Sequence, residues 1–369
     1  MLDHIHYLSP RDFEEQFSNR NENCLYLMSR NAAKRQGLIS LLEEKVAQGS
    51  FWVNSIASNP DQKSVFTALK AVGDFQVKEI VAVGGGSTID LAKILKALLP
   101  FVNNLKKADD IIDIVSSKAY LDSDLMMNDC YLIAVPSTAG TGSEVTRWAT
   151  LWDTVNKKKY SVDAPSLVPN EVWVVPELLT NMPKRLKLST GLDAICQATE
   201  AFWAKKSDPQ VQAIATKAIA LFVKYFEDFL NGPENSQVKT EIATASLLAG
   251  IAFSKTRTTA CHSISYPLTL NFGIEHGFAA ALSLPAVVNI NEKAVDCSAL
   301  YEAIQPFENY RNLVDTFSAG IQPMRLSAFG ISEQDLPIIA AESFTQGRMD
   351  NNPVDLTKND VELILRDIY

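Results

Sequence analysis

Asp193 and Gln197 stand four residues apart in a helical pattern, so they share one face. His262 and His276 follow, fourteen apart, in a short apolar region that holds two of the chain's four histidines. A carboxylate with imidazoles is the donor set of a divalent iron or zinc site that keeps a position open for a substrate. Each residue also has a plainer use: Asp193 as a helix cap, His262 as a core histidine, His276 at a turn before Gly277. Pro267 lies between the two histidines and is expected to interrupt any single helix joining them.

Two further stretches have the composition of phosphate loops. Gly84-Gly85-Gly86-Ser87 joins the strand-like "EIVAV" to a helix expected to open at Thr88. Glycines let a backbone approach a ligand closely, and a helix start presents free N–H groups and partial positive charge to a pyrophosphate. "PSTAGTGSEVT", Pro136 to Thr146, again follows a buried apolar strand and is dense in hydroxyls. Ligand loops of a parallel sheet lie at the C-terminal ends of its strands, so the two stretches can serve one dinucleotide. Neither has the GxGxxG spacing.

The elements that must carry these residues are legible in outline. Cys24–Ser29, Ser50–Ala57 and Cys130–Thr138 read as short buried strands, with "AAKRQGLISLLEEKVAQG" and Asp61–Phe75 as helices between them. Continuous apolar strands alternating with amphipathic helices predict a doubly wound, mostly parallel sheet covered on both faces. Beyond Val175-Pro176 long helical patterns take over, such as Ser189–Lys206 and Pro209–Asn231, the latter stopped by Gly232-Pro233. The division predicted is an α/β domain over 1–177 and an all-helical domain over 178–369, meeting at a packed cleft.

Composition narrows the classes. With 369 residues, 47% hydrophobic and 21% charged, the chain is neither disordered nor fibrous. A net charge of -9 without a basic block argues against a nucleic-acid partner. Five scattered cysteines form neither a disulfide framework nor a zinc ribbon. No run of eighteen apolar residues and no apolar N-terminal stretch is present, which points away from a membrane and to a cytoplasmic address.

"GGGSTIDLAK", "PSTAGTGSEVT", "STGLDAICQATEAFW", "CHSISYPLTLNFGIEHG" and "NNPVDLT" occur in an order and spacing that resembles the iron-containing alcohol dehydrogenase family over essentially the whole chain. The resemblance implies a dehydroquinate-synthase-like architecture, with NAD(P) on the α/β domain and one divalent metal, Fe or Zn, on the helical domain. It places the metal on Asp193, Gln197, His262 and His276, with Gln197 standing where the family has histidine. Tyr266 stands where the family has another histidine and becomes the candidate proton relay. By the same resemblance the dinucleotide falls to Ser29, Arg30, Asn59, Gly85, Gly86, Ser87, Asp90, Thr138, Thr141, Ser143 and Lys159.

Within the family, "TRTTACHSISYPLT", "RWATLWD" and "KKKYSVDAPSL" look like the phosphonoacetaldehyde reductase subgroup. Arg257 and Thr258 lie just before His262, and Arg147 follows the second loop, so a guanidinium is at hand for a phosphonate. The implied reaction is reduction of phosphonoacetaldehyde to 2-hydroxyethylphosphonate, an anionic small-aldehyde substrate. Sulfoacetaldehyde and neutral short-chain alcohols or polyols remain alternatives, as do a dehydroquinate-synthase-like lyase and a metal-free nucleotide-binding relic. NAD-preferring relatives carry Asp where this chain has Arg30, flanked by Ser29 and Asn31, which favours NADPH. The family further implies a homodimer or a higher homo-oligomer.

Overall fold

Alternate residues of the strands are buried on opposite sides of one sheet. Leu25, Leu27, Ile80, Ala82, Leu132 and Ala134 belong to one apolar cluster, while Cys24, Tyr26, Val81, Val83, Ile133 and Val135 belong to another. A strand apolar at every position needs cover on both faces, and helices supply it here.

The strands of this computed structural model, which describes residues 3–20, 23–122 and 130–369, are Ile5–Tyr7 (β1), Cys24–Leu27 (β2), Phe51–Val53 (β3), Glu79–Gly84 (β4), Tyr131–Pro136 (β5), Trp148–Asp153 (β6), Lys158–Asp163 (β7) and Glu171–Val174 (β8). Six of them form a parallel sheet in the order β1-β8-β5-β4-β2-β3, and β6 and β7 pair as an antiparallel hairpin. The chain moves outward from β2 to β3 and then in the other direction from β4 to β5. The reversal lies between β2 and β4, the position where open α/β sheets bind ligands.

The expected helix after β2 is two helices, Arg30–Arg35 and Ile39–Ala47, because the backbone turns at Gln36 to Leu38. The expected strand over 50–57 is only Phe51–Val53, its whole pairing being with β2. The helix after the glycine turn opens at Gly86 rather than Thr88 and runs to Leu98. It carries Lys93, fully buried, whose Nζ donates to the carbonyls of Ser143 at 2.6 Å, Thr146 at 2.7 Å and Trp148 at 3.0 Å. One ammonium thereby ties the start of the hairpin segment to this helix.

Contacts divide the chain into Met1–Thr138 with Ser143–Asn181, and Met182–Tyr369 with Ala139–Gly142. The second unit is helical among its described residues. Its long members are Lys184–Trp203, Pro209–Asn231 and Ser236–Thr256, followed by Ala260–Phe272 and His276–Asn291. Pro267 does not interrupt its helix. It removes one backbone hydrogen bond, but burial along Ala260 to Thr269 holds the helix on course until Gly273, whose φ of 68° ends it. No helix among the described residues is long and apolar enough to cross a membrane. All five cysteines are free and buried.

Candidate active site

One atom each from Asp193, His262 and His276 lies within 4.8 Å of the others, all in the helical unit. Asp193 and Gln197 come from one face of Lys184–Trp203, His262 from the first turn of Ala260–Phe272, and His276 from the first residue of the next helix. That last helix comes extremely close to the first. A Cβ on Gly277 would stand 1.9 Å from the Ser189 carbonyl oxygen, so only glycine permits the crossing that brings His276 beside Asp193.

The donor atoms are buried and poorly used. Asp193 Oδ1, Gln197 Oε1 and His262 Nε2 have no hydrogen-bond partner. His262 Nε2 and Asp193 Oδ1 are 3.2 Å apart, an ion-pair distance without hydrogen-bond geometry. Orphaned buried polar atoms are costly, and the close approach of Asp193, His262 and His276 fits a shared cation. Gln197 presents an amide oxygen where an imidazole is more usual, which still suits a hard or borderline divalent ion.

Behind His262 stands a residue that the sequence reading passed over. Glu200 is completely buried and pairs through Oε2 with His262 Nδ1. Its Oε1 accepts from Thr259 Oγ1 at 2.9 Å and the Cys261 N–H at 2.7 Å. Burial would raise the Glu200 pKa, but the His262 charge and these donors hold it below the usual value. Burial would lower the His262 pKa, yet Glu200 and Asp193 raise it to about 10. The centre is thus built to attract positive charge, and a carboxylate on Nδ1 aims Nε2 at the shared space. The overlooked signal is periodic: Asp193, Gln197 and Glu200 recur at i, i+4 and i+7.

Tyr266 lies one helical turn past His262, and its ring stacks parallel to His276 with centroids 6.1 Å apart. Its Oη accepts from Arg348 Nε at 3.3 Å. Arg257 and Thr258 lie in the bend before Ala260–Phe272. Asn351 Nδ2 holds that bend by donating to the carbonyls of Thr256 at 2.9 Å and Thr258 at 3.1 Å.

The first unit gathers most of the dinucleotide candidates at the C-terminal ends of β2, β4 and β5. Ser29 follows β2 and caps the next helix, accepting from the Ala32 N–H. Gly85 and Gly86 open the helix after β4, and the Asn59 N–H donates to Ser87 Oγ at 3.1 Å. Thr138 follows β5, and its Oγ1 would be 2.9 Å from a Cβ on Gly85, so the two loops touch. Thr141 groups instead with the helical unit.

Other candidates make contacts within the first unit. Asp90 accepts from Ser143 Oγ at 2.9 Å and the Thr150 N–H at 2.8 Å, fastening the second loop and the hairpin to the helix after β4. Lys159 lies in β7, and its charge is felt at Asp90. Arg147 Nε donates to Asp163 Oδ1 at 2.6 Å across the hairpin's base, a use already made of its guanidinium. Arg30 lies 3.6 Å from Glu43 and over the Trp52 ring at 5.9 Å.

Comparison with known proteins finds family models over both parts of the chain. Residues 9–176 match the family model described as iron-containing alcohol dehydrogenase, and residues 187–369 match the C-terminal model of the Fe-containing alcohol dehydrogenase family. The chain is 31% identical to a phosphonoacetaldehyde reductase of Streptomyces viridochromogenes, covering 77% of this chain and 74% of that protein. It is 27% identical to an NADPH-dependent butanol dehydrogenase of Clostridium saccharobutylicum over 96% and 94% of the two chains. The crystal structure of sulfoacetaldehyde reductase from Bifidobacterium kashiwanohense in complex with NAD+ superposes with a TM-score of 0.82 at 25% identity, covering 99% and 96% of the chains.

Proposed function

The chain belongs to the iron-containing alcohol dehydrogenase family, and on that premise we propose that it reduces a small anionic aldehyde, phosphonoacetaldehyde, to 2-hydroxyethylphosphonate with NADPH. The observation that carries the reading is the convergence of Asp193, His262 and His276 in a buried centre biased toward positive charge, with an unpartnered Gln197 Oε1 one turn from Asp193 on the same helix.

Those four side chains hold the divalent ion in this proposal. Bound there, the ion supplies Lewis acidity to a carbonyl oxygen, and a reduced nicotinamide supplies the hydride. Glu200 fixes the tautomer and direction of His262. The proton that completes the alcohol is assigned to Tyr266 Oη, at the centre's edge and hydrogen-bonded by Arg348. Hydride to carbon and proton to oxygen balance the conversion of aldehyde and reduced cofactor to alcohol and oxidised cofactor.

Similarity to a phosphonoacetaldehyde reductase, Arg348 on the Tyr266 phenol and Arg257 beside Gly347 support an anionic substrate. The likeness to a sulfoacetaldehyde reductase supports a second reading with a sulfonate in place of the phosphonate. For the cofactor, Ser29 and Arg30 at the end of β2 put no carboxylate where one would repel a 2′-phosphate.

The test is cofactor oxidation by metal-loaded enzyme against phosphonoacetaldehyde, sulfoacetaldehyde and propionaldehyde, with and without chelator. Chelator-sensitive turnover with the highest kcat/KM on phosphonoacetaldehyde and NADPH is expected. Faster reduction of propionaldehyde than of both anionic aldehydes overturns the substrate, and a strong NADH preference overturns the cofactor.

A further inference from the structure

Arg348 is a buried guanidinium that forms no ion pair among the described residues. Its side chain belongs to a residue only 8% exposed. Nε donates to Tyr266 Oη at 3.3 Å and Nη1 to the Gly347 carbonyl at 3.1 Å. Both acceptors are neutral, and no Asp or Glu among the described residues forms an ion pair with it. Taking a cation out of water without a partner costs several kcal/mol, so such groups usually have a charge to meet.

A second guanidinium reaches the same bend. A Cβ on Gly347 would stand 3.8 Å from Arg257 Nη1. Arg257 has φ 65° and ψ 174°, a conformation that side chains of L-residues avoid. Asn351 holds it there by gripping the carbonyl on each side, those of Thr256 and Thr258. One short segment, Gly347 to Asn351, therefore both supplies Arg348 and fixes Arg257.

Two guanidiniums around one backbone bend, one of them buried without a carboxylate, suit an anion with several oxygens. The phenol that Arg348 touches is stacked on His276, so this charge lies one aromatic side chain away from the proposed ion ligands. A two-carbon aldehyde with a tetrahedral oxyanion at its far end has the matching chemistry.

We propose that Arg348, with Arg257, forms an anion subsite for the tetrahedral oxyanion of the substrate, and that Arg348 determines specificity for anionic over neutral aldehydes. The inference rests on the aldehyde-reductase reading and names the residue that would select its substrate.

The probe is methylphosphonate, with methanesulfonate in a parallel arm, titrated calorimetrically into the metal-loaded protein. Wild type is expected to bind methylphosphonate, and Arg348→Gln to bind it about thirtyfold more weakly or worse. Arg348→Lys, which keeps charge but loses the fork, is expected to bind about threefold or more below wild type. It carries the test if the glutamine variant does not fold. Tyr266→Phe, which keeps both arginines, is expected to retain methylphosphonate binding.

No binding by wild type, unchanged binding in the arginine variants, or an equal loss in Tyr266→Phe overturns the subsite. The last outcome would mean that Arg348 acts only through the phenol. Preferential binding of methanesulfonate keeps the subsite and assigns it to sulfonates. Arginine-dependent anion binding in an enzyme that reduces neutral aldehydes faster leaves the subsite standing and removes the phosphonate reaction. A wild type that binds neither anion yet reduces phosphonoacetaldehyde fastest removes the subsite and leaves the reaction standing.

Discussion

Glu200 and His262 are joined at the imidazole's Nδ1, leaving Nε2 facing Asp193. The carboxylate has no exposed surface, and its second oxygen is fixed by Thr259 and the Cys261 N–H. This relationship makes the direction of His262 a property of two helices rather than of one rotamer.

Replacing Glu200 by Gln keeps the shape but removes the charge that supports His262. Outer-shell partners of this kind are worth about 10- to 100-fold in metal affinity. Glu200→Gln is expected to lose metal to a competing chelator within that range, while its circular dichroism stays that of wild type. Metal retention equal to wild type would show that Asp193 and the helix framework alone orient the ring.

Gln197 can be tested in the opposite direction. An imidazole binds zinc and iron more strongly than a neutral amide oxygen, and residue 197 lies one helical turn past Asp193 on the same buried helix. Gln197→His is expected to hold zinc about tenfold more tightly or better, on the scale by which ligand-shell changes act. Dialysis against a graded chelator series, read by elemental analysis, measures this. An unchanged or lower affinity would place Gln197 outside the coordination shell.

Glu144 gives the first unit a distinctive pH response. Burial raises its pKa to about 7, against the partial opposition of its own backbone hydrogen bond and Lys93. The native state therefore holds a proton that the unfolded chain releases near 4.5. The associated stability is complete below 4.5 and is lost as pH rises to about 7. Glu144→Gln removes this dependence, so its stability relative to wild type should rise from pH 5 to pH 8 by on the order of 3 kcal/mol. Urea unfolding at several pH values checks the sign, and a difference independent of pH would mean that Glu144 ionises as in water.

The sequence carried the architecture because its central strands β2, β4 and β5 are almost continuously apolar and its long helices carry strong stop signals, as at Pro209–Asn231. The grouping of Asp193 with His262 and His276 was anticipated from their residue types and the fourteen-residue spacing of the histidines. Local rules failed where packing outweighed them. Pro267 reads as a breaker, yet it sits inside a helix because nearly every neighbouring side chain is buried.

The supporting residues were harder to see for a different reason. Glu200 looks like one more helical acid until His262, 62 positions later, is folded against it. Arg348 meets Tyr266 from 82 positions away. Likewise, the contacts of Arg147 with Asp163 and of Asp90 with the Thr150 N–H come only from the folded hairpin. Pairings made by tertiary contact have no fixed spacing to read.

Gly277 packs with no side chain against the Ser189 carbonyl, so the separation of the helices bearing His276 and Asp193 is set by main chain touching main chain. A seam of that kind has no rotamers to loosen gradually on warming. The grip on a coordinated ion should consequently stay constant until these two helices part, and demetallation should coincide with cooperative melting rather than precede it.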